Sequence, residues 1–473
     1  MTELPAGWEA AELDEINDPE RPICYGILMP GPDLPEGIPY VKVRNIRSDK
    51  VLVDEVHRTS VEIESKFARS RLRVGDVLVS IRGTYGRAAS VPPELDGGNI
   101  TQDTARVAPV GAKAAYVRLF MQSPAAQNYF KAVARGVAVK GVNIGDLRKL
   151  PVPVAPAAEQ DRIVLAVEEA FSKLSVGDAG LRTAGQLLGR MREAILEAAL
   201  TGRLVPQDPA DTSAAKVLAE VGTEPVLPEG VPPIPETWSW ALLGAVSDVV
   251  GGVTKDSKKQ DDPTFVDRPY LRVANVQRGY LDLGTVTSIR VPPEKAAKLE
   301  LRPGDVLFNE GGDRDKLGRG WVWEGQVESC IHQNHVFRAR MVEGIEPKLV
   351  SLWGNTFGRR WFEGHGKQTT NLASINMKTL KSFPIPVAPE AEQQRILQEV
   401  ERQMSFIEAC ERSVDAGLEV SAALRRSVLK AAFEGRLVPQ DPTDEPASVL
   451  LERIRAERAA NPAQKKRRAR ATA

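Results

Sequence analysis

The chain has 473 residues, too many for one hydrophobic core, and its 42% hydrophobic and 27% charged content is that of ordinary soluble domains. Sixty-three Lys and Arg balance 63 Asp and Glu, so no global basic field advertises nucleic acid. Three cysteines (Cys24, Cys330, Cys410) give no disulfide framework and suit a reducing cytoplasm. The first residues do not read as a signal peptide and no apolar run is long enough to cross a bilayer, which argues against secreted and membrane roles.

The charge is unevenly distributed. The first 36 residues are strongly acidic, whereas residues 40–87 hold eleven Lys or Arg against six Asp or Glu. The run at 465–470 is basic and reads as a solvated tail rather than a phosphate-binding arm.

Taken in order, the chain states every framework phrase twice. Pro5-Ala6-Gly7-Trp8 is echoed by Pro235-Glu236-Thr237-Trp238. The stretch Tyr40-Val41-Lys42-Val43-Arg44-Asn45-Ile46 is echoed by Tyr270-Leu271-Arg272-Val273-Ala274-Asn275-Val276, and its alternation predicts a half-buried strand. Gly75-Asp76 and Gly304-Asp305 predict turns ahead of apolar strands. Residues 116–133 read as one helix packed on the sheet. Pro151-Val152-Pro153-Val154-Ala155-Pro156 and its echo at 384–389 read as a proline-rich hinge, followed by Glu-Gln-x-Arg-Ile at 159–163 and 392–396.

Each hinge leads into a long helical pattern. In the first, Val167, Leu174, Leu181, Leu188 and Ile195 recur every seven residues, interleaved with Ile163, Ala170, Gly177, Ala184, Met191 and Ala198, which predicts a coiled-coil seam. In the second, Ile396, Val400, Ile407, Val414, Leu424 and Val428 hold the seam; Gln403 and Ser421 interrupt it, and Cys410 and Gly417 face the same stripe. The expected packing is antiparallel. Both helices stop at an identical Gly-Arg-Leu-Val-Pro-Gln-Asp-Pro, at 202–209 and 435–442, where glycine enters the left-handed conformation and proline prevents re-entry.

The expected fold is therefore α+β: two similar mixed α/β domains joined by two long helices in an antiparallel coiled coil, an internal duplication with pseudo-twofold symmetry. The expected boundaries are 1–156 and 235–389 for the globular domains, 157–209 and 390–442 for the helices with their stops, 210–234 for a linker, and 443–473 for a charged helix and basic tail.

In this arrangement the chain resembles the specificity subunit of Type I restriction–modification systems, over nearly its whole length. The resemblance implies two target recognition domains, each reading one half of a split double-stranded DNA sequence. It further implies helices that fix the half-site spacing, two methyltransferase subunits docked on the helical regions, and recruitment of a restriction subunit. S-adenosylmethionine would then belong to the methyltransferase partner, and ATP and Mg to the restriction subunit, with no cofactor in this chain.

No catalytic motif is found. Gly364-His365-Gly366-Lys367 lacks the pattern of a phosphate-binding loop, Asn461-Pro462-Ala463 is a poor imitation of an amino-methyltransferase motif, and Asp256-Ser257-Lys258 and Glu64-Ser65-Lys66 are chance-level nuclease triplets. Cys330, His332 and His335 do not share one strand face, which argues against zinc. The rivals to a DNA-reading role are a fused DNA-modifying enzyme with an unrecognised motif and a duplicated protein–protein scaffold.

Four places in each half are candidates for DNA contact. The first is the strand bearing Lys42, Arg44, Asn45 and Arg47, matched by Arg272, Asn275, Gln277 and Arg278; the alternative is a solvated strand face. The second is the glycine-rich loop with Arg82, Thr84, Tyr85 and Arg87, matched by Asn309, Arg314 and Lys316; glycine lets the backbone approach a ligand and Arg forks onto guanine or phosphate. The third is Gln102, matched by Gln333 and Asn334, whose amides suit adenine. The fourth is Lys140 with Asn143, matched by Lys367, Gln368, Thr369 and Asn371; Lys and Thr suit phosphates, while Asn143 and Asn371 read rather as helix N-caps.

Overall fold

In the computed structural model the described residues are 4–47, 50–136, 140–256, 260–312, 317–365, 367–368 and 373–460. The chain divides into two compact units, Met1–Arg182 with Asp415–Ala473, and Thr183–Val414. Each unit holds one globular part together with one half of each long helix.

In the first unit, Thr104–Val107 lies between Cys24–Tyr25 and Val77–Ser80, and Ala88–Ser90 pairs with the outer side of Val77–Ser80, all antiparallel. Alternation along Val77–Ser80 divides two cores. Val77 and Val79 join Ala105, Phe120 and Phe130 on one face, while Leu78 joins Val41, Ile46 and Ile100 on the other. The single helix expected over 116–133 is two, Ala114–Gln122 and Pro124–Val133. Ser123 is extended and caps the second helix, and Pro124 has no amide with which to continue the first.

A smaller sheet runs His57–Thr59, Ile38–Val41, Asn99–Ile100, the first pair antiparallel and the second parallel. The strand expected through residue 46 ends at Val41. Asn45 Oδ1 accepts from the Lys42 amide (2.8 Å), and this closes the 3-10 turn Val43–Asn45. The predicted turn at Gly75-Asp76 is present: Asp76 accepts from the Arg73 amide (2.8 Å) and holds Arg21 (2.5 Å) just before the strand.

The second unit repeats these sheets in the same order. Ser247–Gly251, Val336–Met341, Asp305–Asn309 and Gly320–Val322 form the larger one, and Thr287–Val291, Val266–Leu271 and Ile331–His332 the smaller.

The proline-rich segments expected as hinges are strands. Pro151–Val154 pairs antiparallel with Glu9–Glu12, and Pro384–Val387 with Ser239–Leu242. The bond from the Leu13 amide to Leu150 O (2.9 Å) sets the ladder so that Pro151 and Pro153 fall where no amide is required. Val152 and Val154 point into the core.

The long helices are Ala157–Leu200 and Glu390–Phe433, 44 residues each, or about 66 Å at the α-helical rise. The repeated Glu-Gln-x-Arg-Ile fastens each to its globular part. Glu159 accepts from Trp8 Nε1 (3.0 Å), Gln160 Oε1 accepts from the Lys113 amide (2.9 Å), Arg162 pairs with Asp444 (2.6 Å), and Ile163 is in the core. In the second unit Glu392 accepts from Gln207 (2.5 Å), Gln393 Oε1 from the Glu346 amide (2.7 Å), and Arg395 pairs with Asp211 (2.5 Å). Burial raises the carboxyls of Glu159 and Glu392 above the usual range.

Within each unit the helices run in opposite directions. In the first, Asp178 bonds Arg425 (2.9 Å) and Leu181 packs on Gly417; in the second, Gly185 faces Val414 and Arg192 pairs with Glu411 (2.7 Å). The heptad positions Val167 and Ile195 are buried and Leu174, Leu181 and Leu188 half-buried, but Gly177 and Met191, placed in the seam by their spacing, are exposed. In the second helix Ser421 is buried and Leu424 is 47% exposed, so the seam passes through the residue expected to interrupt it. Arg425 takes the inward place by stacking on Phe171 and bonding Asp178.

Gly202 (φ +70°) and Gly435 (φ +67°) end the helices as expected, with the Arg203 and Arg436 amides returning to Ala198 O and Ala431 O (both 2.8 Å). The segments beyond fold back: Ala214–Glu220 buries Leu218, and Ala447–Ala460 buries Leu451 and Ile454, each against its own unit. The basic run at 465–470 lies outside the described residues. Among the described residues, no helix is long and apolar enough to cross a membrane.

Candidate nucleic-acid interface

The site grows out of four stretches gathered beside the larger sheet of the first unit. The strand Val77–Ser80 leads into the glycine turn, where Gly83 (φ +68°) and Gly86 (φ +85°) adopt a conformation costly for other residues. Arg82 bridges to Gly141, and Gly141 in turn exchanges two backbone bonds with Arg135 (2.9 Å each). The 3-10 turn brings up Arg44, with Arg47 beyond it. The parallel strand Asn99–Ile100 delivers Gln102, whose amide donates to Ile27 O (3.0 Å).

These loops enclose an open cleft of about 1280 Å³, lined by Arg44, Arg47, Arg82, Arg87 and Arg135, with Thr84, Gln102, Asn143 and Tyr25 among the rest. Among the described residues that line it, Asp103 is the one carboxylate. Three of the arginines are in exposed ion pairs too long for hydrogen bonds: Arg82 is 3.8 Å from Asp103, Arg47 3.6 Å from Glu55 and Arg135 3.9 Å from Asp146, and the three side chains are 59%, 63% and 79% exposed. Arg87 donates to Ile46 O (3.0 Å), and Arg44 meets His57 Nε2 (2.6 Å). Five guanidiniums around one concavity form a donor-rich, cationic surface suited to phosphate oxygens and to the acceptor edge of guanine.

The structure thus gathers Arg44, Arg47, Arg82, Thr84, Arg87, Gln102 and Asn143 from four separate stretches. Other candidates are placed elsewhere. Asn45 is fully buried, its amide committed to the Lys42 N–H and to Glu55 O (2.9 Å). Tyr85 packs against the core. Lys42 lies beside the cleft in an adjoining depression, 3.3 Å from His57 Nδ1, where burial and Arg44 lower its pKa. Lys140 is exposed and its carbonyl accepts from Gly83 (3.1 Å). Asn143 caps Ile144–Arg148 through Asp146 N–H (3.1 Å), as its alternative reading expected. Arg135 and Tyr25 were missed; neither lies in a repeated phrase, and only the backbone pairing brings them to the cleft.

Strand pairing also corrects the matching of the halves. The bridges Ile27–Thr101 and Val253–Gln333 align Gln102 with Asn334 rather than with Gln333. The ribbon Gly311–Gly312, Ala373–Ser374, Lys367–Gln368 corresponds to Arg82, Gly141 and Arg135, so Lys367 answers Arg135 and not Lys140. The cap answering Asn143 is Asn376, which accepts from the Thr379 amide (2.8 Å), not Asn371. Asn309 answers Ser80 and is buried, donating to Val276 O (2.8 Å). Asn275 answers Asn45 and is likewise committed to backbone, at Arg272 N–H and at Asp282 O and Thr285 O (2.9 Å each).

At the positions of Arg44, Arg47, Arg82, Arg87 and Arg135 the second unit therefore carries Ala274, Gln277, Gly311, Arg319 and Lys367. Gln277 donates to Ala274 O (2.7 Å), Arg278 to Asn355 O, and Asn334 meets His335 Nε2 (3.3 Å), with Gln333 and Arg272 half-buried nearby. Arg314, Lys316, Thr369 and Asn371 lie outside the described residues, and Lys367 and Gln368 are described as backbone only. His332 is buried, its Nδ1 on Val336 O (2.6 Å) and its pKa lowered by burial to about 4, while burial pushes the Cys330 thiol up to about 12 and His335 pairs with Glu310 (2.5 Å).

Among the described residues, the duplicated α+β chain sets a cationic cleft in the first unit against partly different residues at the matching positions of the second. No protein-family model matches it. It is similar to the EcoBI specificity subunit of Escherichia coli (30% identity, 43% of each chain) and to the EcoKI specificity subunit of Escherichia coli strain K12 (23% identity, 73% of this chain and 72% of that one), both Type I restriction enzymes. The EcoBI match spans less than half of that relative. Among solved structures, a chain from a study of complex assembly and conformational transition of the type I R-M system shares the fold at TM-score 0.66 (20% identity, 92% of this chain and 100% of that one). The HsdS subunit of Thermoanaerobacter tengcongensis does so at 0.52 (19% identity, 92% and 98%). In sequence the chain is similar to specificity subunits of Type I restriction enzymes, and it shares the fold of these solved chains.

Proposed function

We propose that the chain is the non-catalytic, sequence-reading subunit of a cytoplasmic Type I restriction–modification assembly. Each globular part reads one half of a split DNA target, and the long helices pack as an antiparallel coiled coil that sets the gap. Two methyltransferase subunits supply S-adenosylmethionine chemistry, and a restriction subunit supplies ATP- and Mg-dependent cleavage.

The observation that carries this reading is the arginine-lined cleft of the first unit, set against Ala274, Gln277 and Gly311 where the second unit answers Arg44, Arg47 and Arg82. A common framework with different reading side chains is what two different half-sites require, while phosphate contacts from Arg44, Arg47 and Arg135 position the duplex. Replacing residues 1–156 by the corresponding part of a relative and mapping genomic methylation is the test. One half of the motif changes and the other persists; a simultaneous change of both halves refutes modular reading. Methyl transfer from S-adenosylmethionine by the purified chain alone would instead favour an enzyme.

A further inference from the structure

Beside the arginine cleft, the first unit exposes two adjacent large apolar side chains, Leu28 (49%) and Met29 (83%). They are not on a loose loop. On one side, buried Ile27 bridges to Thr101, takes a bond from the Gln102 amide (3.0 Å) and donates to Ile100 O (2.7 Å). On the other, Pro30 O accepts from Thr59 Oγ1 (2.6 Å). The tip is therefore pinned at both ends and offers its apolar atoms outward.

Its surroundings point to a polyanion. Leu28 and Pro30 line a depression with Lys42, Arg44, Gln102 and Asp103, and Arg44, Gln102 and Asp103 also line the main cleft. The fold itself does not require apolar residues here. In the second unit the same turn follows Val253, which bridges to Gln333 and takes the Asn334 amide (2.9 Å), and its next residues are the exposed Thr254 and Lys255. The two units thus share the anchor and differ at the tip.

We propose that Leu28 and Met29 form an apolar wedge that enters the base stack of the half-site read by the first unit and unstacks one base step. This rests on the DNA-reading function proposed above. Cations beside the tip hold the backbone, and the unbranched thioether of Met29 fills the gap between parted bases, the use made of Leu and Met by proteins that kink DNA. The second half-site, met by Thr254 and Lys255, is bound without such a step.

The test uses the full chain assembled with its methyltransferase subunits and duplexes carrying the mapped motif, with 2-aminopurine placed in turn at each position of both half-sites except the methylated bases and their neighbours, which a methyltransferase itself unstacks. The wild-type assembly gives a several-fold fluorescence rise at one step of the first half-site and none in the second. The double variant Leu28→Thr, Met29→Lys, which copies the second unit and alters only exposed atoms, loses the rise and binds on the order of tenfold more weakly. The motif stays unchanged. The wedge is overturned if a bound duplex shows no rise in the first half-site, if the variant keeps the rise, or if the variant changes motif preference at a thymine, which would mean contact with its methyl group. Arg44→Ala and Arg82→Ala serve as the separate control. If they abolish reading of the first half-site while 2-aminopurine stays silent in the bound wild-type assembly, only the wedge fails; if they leave it intact, the DNA-reading site itself is misplaced.

Discussion

Two residues that share a repeated phrase, Arg44 and Asn45, have opposite fates. Arg44 is exposed at the cleft, whereas Asn45 is sealed inside, closing the turn that holds Arg44 out. Asn45→Ala removes a buried side chain that closes the turn and takes the partner away from the part-buried Lys42 amide and Glu55 carbonyl, and is expected to lower stability by about 1–3 kcal/mol. Arg82→Ala, more than half exposed, leaves the melting temperature in place and relaxes discrimination at one base pair by about 1–3 kcal/mol. Thermal melts together with competition binding separate the two; an unstable Arg82→Ala protein would assign that arginine to the framework. The sequence brought both residues to notice because basic and amide side chains cluster there. It did not sort them, because inward and outward positions of a 3-10 turn carry no period that a strand template reads. Arg135 went unnoticed for a related reason: its place at the cleft depends on backbone bonds to Gly141 across a segment without framework repeats.

At the level of elements, the long helices, the glycine stops and the duplication were legible, since each is a local pattern with a direct geometric meaning, whereas the heptad spacing placed Gly177, Met191 and Leu424 inward and they are exposed. The prolines misled, because Pro-x-Pro suggests a hinge until a partner strand, Glu9–Glu12, is seen to leave those amides unneeded. In the first long helix the seam is buried near both ends, at Val167 and Ile195, and half-buried between them at Leu174, Leu181 and Leu188. Val167→Asp, fully buried, is therefore expected to destabilise by several kcal/mol, clearly more than Leu174→Asp at a half-buried position. Denaturant unfolding of the two variants checks the order, and equal losses would mean a uniformly buried seam. The first turns of the long helices carry Glu159 and Glu392, whose carboxyls burial raises. A raised carboxyl binds its proton more tightly in the folded state. Its contribution is complete below the ordinary value of 4.5 and is lost as pH rises through the folded pKa. Stability should thus decline over the window that opens at 4.5, and the double Glu159→Gln, Glu392→Gln variant should flatten that decline. An identical slope in both proteins would assign the pH dependence to other groups.

For the molecule as a whole, the proposed ruler is testable by length. Four residues inserted after Leu181 add about 6 Å of helix, nearly two base pairs of B-DNA, and slightly more than one helical turn. A matching insertion after Leu418, next to the Gly417 that Leu181 packs on, keeps the partner helix in step. The double insertion is expected to leave both half-site sequences intact and to widen the gap by one or two base pairs in methylation maps; an unchanged gap in an active protein removes the helices as the ruler. With a net charge of zero, the lone chain should also bind DNA weakly and gain affinity on assembly. Salt titration of both forms decides this, and tight sequence-specific binding by the chain alone would contradict it.

The pairing of Glu9–Glu12 with Pro151–Val154, and of Ser239–Leu242 with Pro384–Val387, has a consequence for inheritance. Each globular part enters and leaves its framework through two neighbouring strands, about 5 Å apart. Whatever lies between can lengthen, shorten or be replaced wholesale without dragging the helix behind it. Because identical phrases at 202–209 and 435–442 flank the second globular part together with its long helix, exchange at such matched flanks can trade one reading surface for another and leave an intact chain. New specificities would then arise in single exchanges, without passing through a series of half-adapted intermediates.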